Sequence, residues 1–144
     1  VTSRRTRFYK KLTDEQIVSS LVAGENAAAD SAGQLPLAGG CDNNGWLADG
    51  IAKGFYKVRE VALDGIPTYR YFFHVTDQKF LHINASVVIG SAKQNPALWD
   101  RGAELIAREL GCRGIEFETL RPGLVTQALG HGYAISGVLL TKKI

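Results

Sequence analysis

Cysteine is scarce in this chain: there are two in 144 residues, Cys41 and Cys112, far apart in sequence. That spacing supplies neither a disulfide framework nor the close pairs of a zinc site, so both side chains are expected to be buried thiols. Three histidines, His74, His82 and His131, have no helical or short-loop spacing between them, and no metal is expected. No run of about 18 apolar residues occurs, which excludes a membrane-spanning helix. The opening residues lack the charged-then-apolar order of a secretory signal, so a cytoplasmic protein is expected. A phosphate-cradling Walker loop and a G-x-S-x-G nucleophile elbow are missing too, which argues against nucleotide hydrolases and serine hydrolases. Neither an internal repeat nor a low-complexity tract divides the sequence. Residues 1–144 therefore read as a single domain.

What is present is ordinary for a globular fold, with 45% hydrophobic and 22% charged residues. A chain of this length buries about two thirds of its unfolded surface without staples. The net charge of +3 is modest but unevenly placed: Arg4, Arg5, Arg7, Lys10 and Lys11 all precede the first acid, Asp14. Residues 1–12 thus form a basic arm that suits nucleic acid or an acidic protein surface, or simply a solvated tail.

The second half is the legible part. Residues 81–89 alternate and then turn uniformly apolar, as a strand buried on both faces at one end would. Asn95-Pro96 is a helix start, with a capping acceptor followed by proline at the first helical position. The helix is expected to run to Leu110 and to close at Gly111, with Leu98, Trp99, Leu105, Ile106 and Leu110 on its buried stripe and Asp100 among its polar residues. Residues 115–120 read as a strand, Pro122 starts a shorter helix, and 134–141 read as the last strand. Strand, helix and strand with such short links make a right-handed parallel crossover.

Upstream, Thr13 to Gln16 has the spacing of a capping box, and Ile17, Val18, Leu21 and Val22 follow at helical intervals, which predicts a helix over 14–23. An opening strand has one weak candidate, residues 5–9, and a short helix holds Trp46, Leu47 and Ile51 before Gly54. Residues 55–63 and 66–75 are rich in β-branched and aromatic side chains, with Asp64-Gly65 between them as a hairpin turn. The fold class is α+β: antiparallel hairpin strands feed a parallel βαβ crossover, with helices on both faces.

This order of elements, with Ala128-Leu-Gly-His-Gly-Tyr133 at the end of the second crossover helix, resembles the carboxy-terminal half of the GNAT (Gcn5-related N-acetyltransferase) family. The spacing of Glu109-Leu-Gly-Cys112, Ile115-Glu-Phe117, Arg121 and Gly132-Tyr133 also resembles uncharacterised GNAT-like proteins of tailed bacteriophages. The resemblance implies an acyl-coenzyme A-dependent N-acyltransferase using acetyl-CoA and an amine acceptor. It implies pantetheine on the edge formed by Val87, Val88 and Ile89, and pyrophosphate on the loop holding Lys93 and Gln94, with Arg121 as a phosphate or carboxylate partner. Two departures stand out: the glycines usual in that loop are replaced, and the position of the family's acid tyrosine is Ala128, with Tyr133 close by.

A general base must take a proton from the amine. Glu116 and Glu118 share a face of one strand, and His82, Asn84 and Ser86 share a face of its neighbour; a polar face on central strands lines a cleft or lies under polar helix residues. Glu116 and His82 are the catalytic candidates. His74 and His131 are read as surface or satisfied histidines. Two other functions fit the sequence: a catalytically silent GNAT-fold binding, virion or assembly protein, placed in a host cytoplasm or virion, and a nucleic-acid-binding or -modifying protein guided by the basic arm.

Overall fold

A computed structural model describes residues 12, 17–21, 46–119, 122–138 and 140–144. Its five strands form one sheet in sequence order: β1 (Ile17–Leu21), β2 (Lys57–Leu63), β3 (Ile66–Val75), β4 (Phe80–Val88) and β5 (Gly114–Phe117). The first three pairings are antiparallel and β4 with β5 is parallel. Helix α1 (Trp46–Ala52) precedes β2, α2 (Pro96–Glu109) links β4 to β5, and α3 (Pro122–Gly130) follows β5. This is the α+β mixed sheet that the sequence predicts. Its hairpin turns where expected, with Asp64 at φ 51° and Gly65 at φ 80°, because a two-residue turn matching strand twist needs positive φ at both positions.

Three expectations are corrected. Residues 17–21 form a strand and not part of a helix: Ile17 to Leu21 pair with Leu63 to Arg59 of β2, and ladder hydrogen bonds outweigh a local helical spacing that β-branched residues support poorly. Residues 134–138 and 140–144 belong to no strand, and Ile135, Val138 and Leu140 are 65%, 80% and 86% exposed. Strand β5 stops at Phe117 and does not continue to residue 120. The strand expected at 5–9, residues 1–11 of the basic arm, Cys41 and Arg121 lie outside the described residues.

Helix α2 covers one face of the sheet. Asn95 caps it, its side-chain oxygen accepting from the Leu98 N–H at 3.1 Å, and Gly111 follows its end at φ 70°. Its buried stripe is rotated from the predicted one: Leu98, Gly102, Ala103, Ile106 and Ala107 are buried, as is Asp100, whereas Trp99, Leu105 and Leu110 are only partly so. Beneath it lie Val61, Tyr69, Tyr71, Phe73, Leu81 and Ile83. On the opposite face Ile51 of α1 and Tyr56 pack on Val58, Phe72 and Val87. Gly102 sets how closely α2 sits, because a Cβ there would stand 2.8 Å from the Tyr71 hydroxyl oxygen and 3.0 Å from both Val61 methyls.

Ile106→Ala should therefore cost about 2–5 kcal/mol, and Gly102→Ala about 1–3 kcal/mol through overpacking. Leu105→Ala, on the partly buried edge of the stripe, should cost less than Ile106→Ala. Denaturant melts of the three variants check the order; Leu105→Ala as the most damaging would refute this docking of α2.

Candidate functional site

The parallel ladder between β4 and β5 ends at Ile83 opposite Phe117, yet β4 continues to Val88. Among the described residues, its edge on the β5 side is therefore unpaired beyond residue 83. The Ile89 N–H donates to the Thr68 carbonyl at 2.9 Å, so the alternation of an antiparallel pair turns Ile89 and Val87 toward β3 and turns Val88 and Ser86 toward the open edge. Of the three residues expected to meet a pantetheine, Val88 alone presents its N–H and C=O there. Val87 instead buries its side chain against Phe72 and Val58.

One irregularity sorts the side chains around this opening. Phe72 pairs with Ala85 and Phe73 with Ile83, leaving Asn84 as an extra residue in β4. The bulge shifts the register by one, so His82 and Asn84 do not share a face with Ser86 as the plain alternation suggests. Ser86 turns to the α2 face, where its hydroxyl accepts from Trp99 Nε1 at 2.9 Å.

On the other face, His74, His82 and Glu116 form one cross-strand row over β3, β4 and β5. His82 Nδ1 is 3.4 Å from Glu116 Oε2, so the structure brings the two catalytic candidates together. The His74 and His82 rings stack with centroids 4.8 Å apart and planes at 29°. His74 Nδ1 lies 2.9 Å from Asn84 Oδ1, and Tyr56 flanks the same ring at 5.9 Å. His74 is thus a satisfied histidine, as read, but its place beside His82 was not foreseen, because sequence alone does not give cross-strand register.

The loop after β4 holds Lys93 and Gln94, both exposed. With Leu63, Ile66 and Thr68 from the hairpin, and with Asn95, they line a pocket of about 420 Å³. The helix start offers little to an anion. Pro96 has no N–H, the Asn95 N–H donates to the Tyr69 hydroxyl at 2.6 Å, and the Leu98 N–H is capped by Asn95. Ala97 supplies the remaining first-turn donor, so charge at this end of the site comes from Lys93.

The α2 face of the opening carries a feature that sequence reasoning missed. Trp99, Phe117 and Tyr133 meet edge to face, at 5.3 Å and 5.4 Å between centroids, and the Tyr133 hydroxyl is buried without a hydrogen-bond partner. It faces Asp100 at less than ideal geometry, and Asp100 has His131 Nδ1 at 3.7 Å. Burial first, then the Asp100 carboxylate, pushes the Tyr133 hydroxyl well above its ordinary range, so it keeps its proton at neutral pH. Burial, reinforced by Glu104 and partly offset by His131, likewise raises Asp100. Helical spacing puts Asp100 at the margin of the stripe; what buries it is the turn after α3, a contact with no signature in periodicity.

A carboxyl raised in the folded state destabilises the fold above that raised value, and the penalty disappears as pH falls toward the ordinary value of 3.8. Asp100→Asn should therefore raise the melting temperature at pH 7–8, with the gain shrinking toward pH 4 (about one unit of pKa being 1.4 kcal/mol). A gain equal at all pH values, or a loss at pH 8, would show that the ionised carboxylate is not the costly species.

No protein-family model matches the sequence, and no curated protein matches it. Solved structures do. A GNAT family acetyltransferase of Staphylococcus aureus superposes with a TM-score of 0.56 at 13% identity, over 90% of this chain and 99% of that one. AAC(6')-Iy, solved with the bisubstrate analogue CoA-S-monomethyl-acetylneamine, gives 0.57 at 12% identity, over 89% and 97%. A GCN5-related N-acetyltransferase of Ralstonia eutropha gives 0.52 at 16% identity, over 89% and 98%. At such identities the likeness speaks for architecture: this chain has the fold of the GNAT acetyltransferases.

Proposed function

We propose that the protein is an acyl-coenzyme A-dependent N-acyltransferase that acts on an amine. The observation that carries this reading is the open β4 edge beyond Ile83 and Phe117, flanked by an imidazole with its carboxylate on one sheet face and a protonated phenol on the other. Extended amides of a pantetheine arm fit such an edge, since Ser86 and Val88 turn unpaired backbone groups to it. Lys93 supplies the phosphate contact, as a point charge where the usual backbone cradle is reduced to Ala97. Gln94 stands beside it, and Arg121, next in sequence to Pro122 of α3, remains a candidate for the same anion.

The division of faces suits the chemistry. An amine nitrogen on the His82 side forms the bond to the acyl carbon, and His82 Nε2 takes the proton that the nitrogen gives up. Glu116, next to Nδ1, orients the ring and balances its positive charge. Collapse breaks the carbon–sulfur bond with its electron pair on sulfur, and Tyr133 hands its proton to that sulfur on the α2 side. The neighbour named above was solved with the bisubstrate analogue CoA-S-monomethyl-acetylneamine; for this chain the acceptor is an amine of unassigned class. A phage source, suggested by the sequence resemblance, would place such an enzyme in the host cytoplasm.

The reduced donor set at the start of α2 favours a second reading, a fold that has lost the coenzyme and serves as a binding, virion or assembly protein, with the basic arm available to nucleic acid. One measurement separates them. A ligand held only by the folded state stabilises it by about 2.7 kcal/mol at a hundred times its dissociation constant, which is several degrees for a domain of this size. Acetyl-CoA should produce such a melting shift, and Lys93→Ala should reduce it. With binding established, His82→Ala and Tyr133→Phe should each lower turnover by about 100-fold or more, without abolishing the shift. No shift with millimolar acetyl-, succinyl- or free coenzyme A selects the second reading.

A further inference from the structure

We propose that His74 is a positioning residue for His82: its stacked face holds that ring beside Glu116 and supports the charge the ring gains when it takes a proton. The proposal deepens the acyltransfer reading and rests on it for the identity of the proton donor, an amine. Its basis in the fold is the row His74, His82 and Glu116 across three neighbouring strands. Directly opposed cross-strand side chains are the closest non-bonded pairs a sheet offers.

His82 is restrained at two places, by Glu116 at Nδ1 and by the face of His74 stacked on it. His74 is restrained in turn. The Asn84 oxygen accepts from its Nδ1–H at 2.9 Å, which fixes the orientation of the ring, and Tyr56 closes its other side. The Asn84 side chain can reach it because of the bulge that adds this residue to β4. A neutral aromatic ring against an imidazolium is attractive; a second cation at 4.8 Å would oppose it. Among the described residues, the groups facing the pair are Asn84 of β4, Glu116 of β5 and Tyr56. The same face also carries Arg70 and Glu60, which are paired with each other at 2.7 Å. Glu116 is the carboxylate that compensates a charge on His82.

The experiment follows the ring protons of His82 through a pH titration by NMR, with assignments taken from His82→Gln. Replacement His74→Arg, which puts a fixed cation on the stack, should lower the His82 midpoint by about one pH unit. His74→Phe, which keeps the stacked face, should leave it within about a third of a unit, and His74→Ala should show a second, averaged ring environment that the Phe variant restores. Should His74→Arg leave the midpoint where it is in a protein that still melts cooperatively, the proposal is overturned. The same holds if Phe and Ala behave alike. No substrate is needed, so the outcome is independent of coenzyme binding, which the melting shift with acetyl-CoA scores separately; failure of one reading is thus distinguishable from failure of the other.

Discussion

Pairing between β4 and β5 that stops after four residues is the constraint on which the rest of the site depends. Parallel strands twist apart unless side chains on both faces hold them, and here Phe117 at the last pair is turned into an aromatic stack with Trp99 and Tyr133 that props one side of the opening. The unpaired edge beyond it is a liability in an ordinary sheet, since exposed N–H and C=O groups invite other strands. Covered by α2 on one face and limited to residues 84–88, it leaves the backbone groups of Ser86 and Val88 turned to a short, protected edge.

The bulge at Asn84 divides the labour on either side. Without the extra residue, Ser86 would fall on the histidine face and Trp99 would lose its indole acceptor. With it, the three-strand row of His74, His82 and Glu116 sits on one face while Val88, Ser86 and Tyr71 continue the α2 face. Tyr71, fully buried, donates to the Trp99 carbonyl at 2.7 Å, and Gly102 gives its hydroxyl room. The position of Trp99, and through it of Phe117 and Tyr133, is therefore tied to a glycine on the far side of the helix turn.

Those parts of the fold that local chemistry decides were legible in the sequence. Asp64-Gly65, Asn95-Pro96 and Gly111 each mark a backbone geometry few residues adopt, and each boundary falls where it was read. Residues 17–21 were not legible, because Ile17, Val18 and Leu21 satisfy helical and strand spacing alike, and pairing with β2 decides between them. Residues 134–141 show the converse: their composition favours a strand, but a strand needs a partner, and β5 offers an edge of four residues. Within the site, His82 and Glu116 were found because same-face alternation survives as far as the bulge. Ser86 was misplaced beyond it, and the pairing of Asp100 with Tyr133, a residue already singled out next to Ala128, escaped notice because the contact crosses from α2 to the turn after α3.

That last contact also shows how the site trades stability for reactivity. A buried carboxylate beside a second acid, Glu104, with a partly exposed histidine as its nearest cation, costs free energy that an asparagine in the same place would not. The cost has a local consequence: burial and the negative charge of Asp100 both work against ionisation of Tyr133, so the phenol keeps its proton. In the proposed reaction a thiolate leaving on this side would meet a donor whose remaining polar neighbour is the Asp100 carboxyl. In the acyltransfer reading proposed above, an acid in this setting would need no lowered pKa, because proton transfer would be driven by the basicity of the departing sulfur rather than by the acidity of the phenol. The destabilising carboxylate and the hydroxyl that lacks a well-formed hydrogen bond are then two sides of one arrangement, a local departure from the rule that buried polar groups are fully paired.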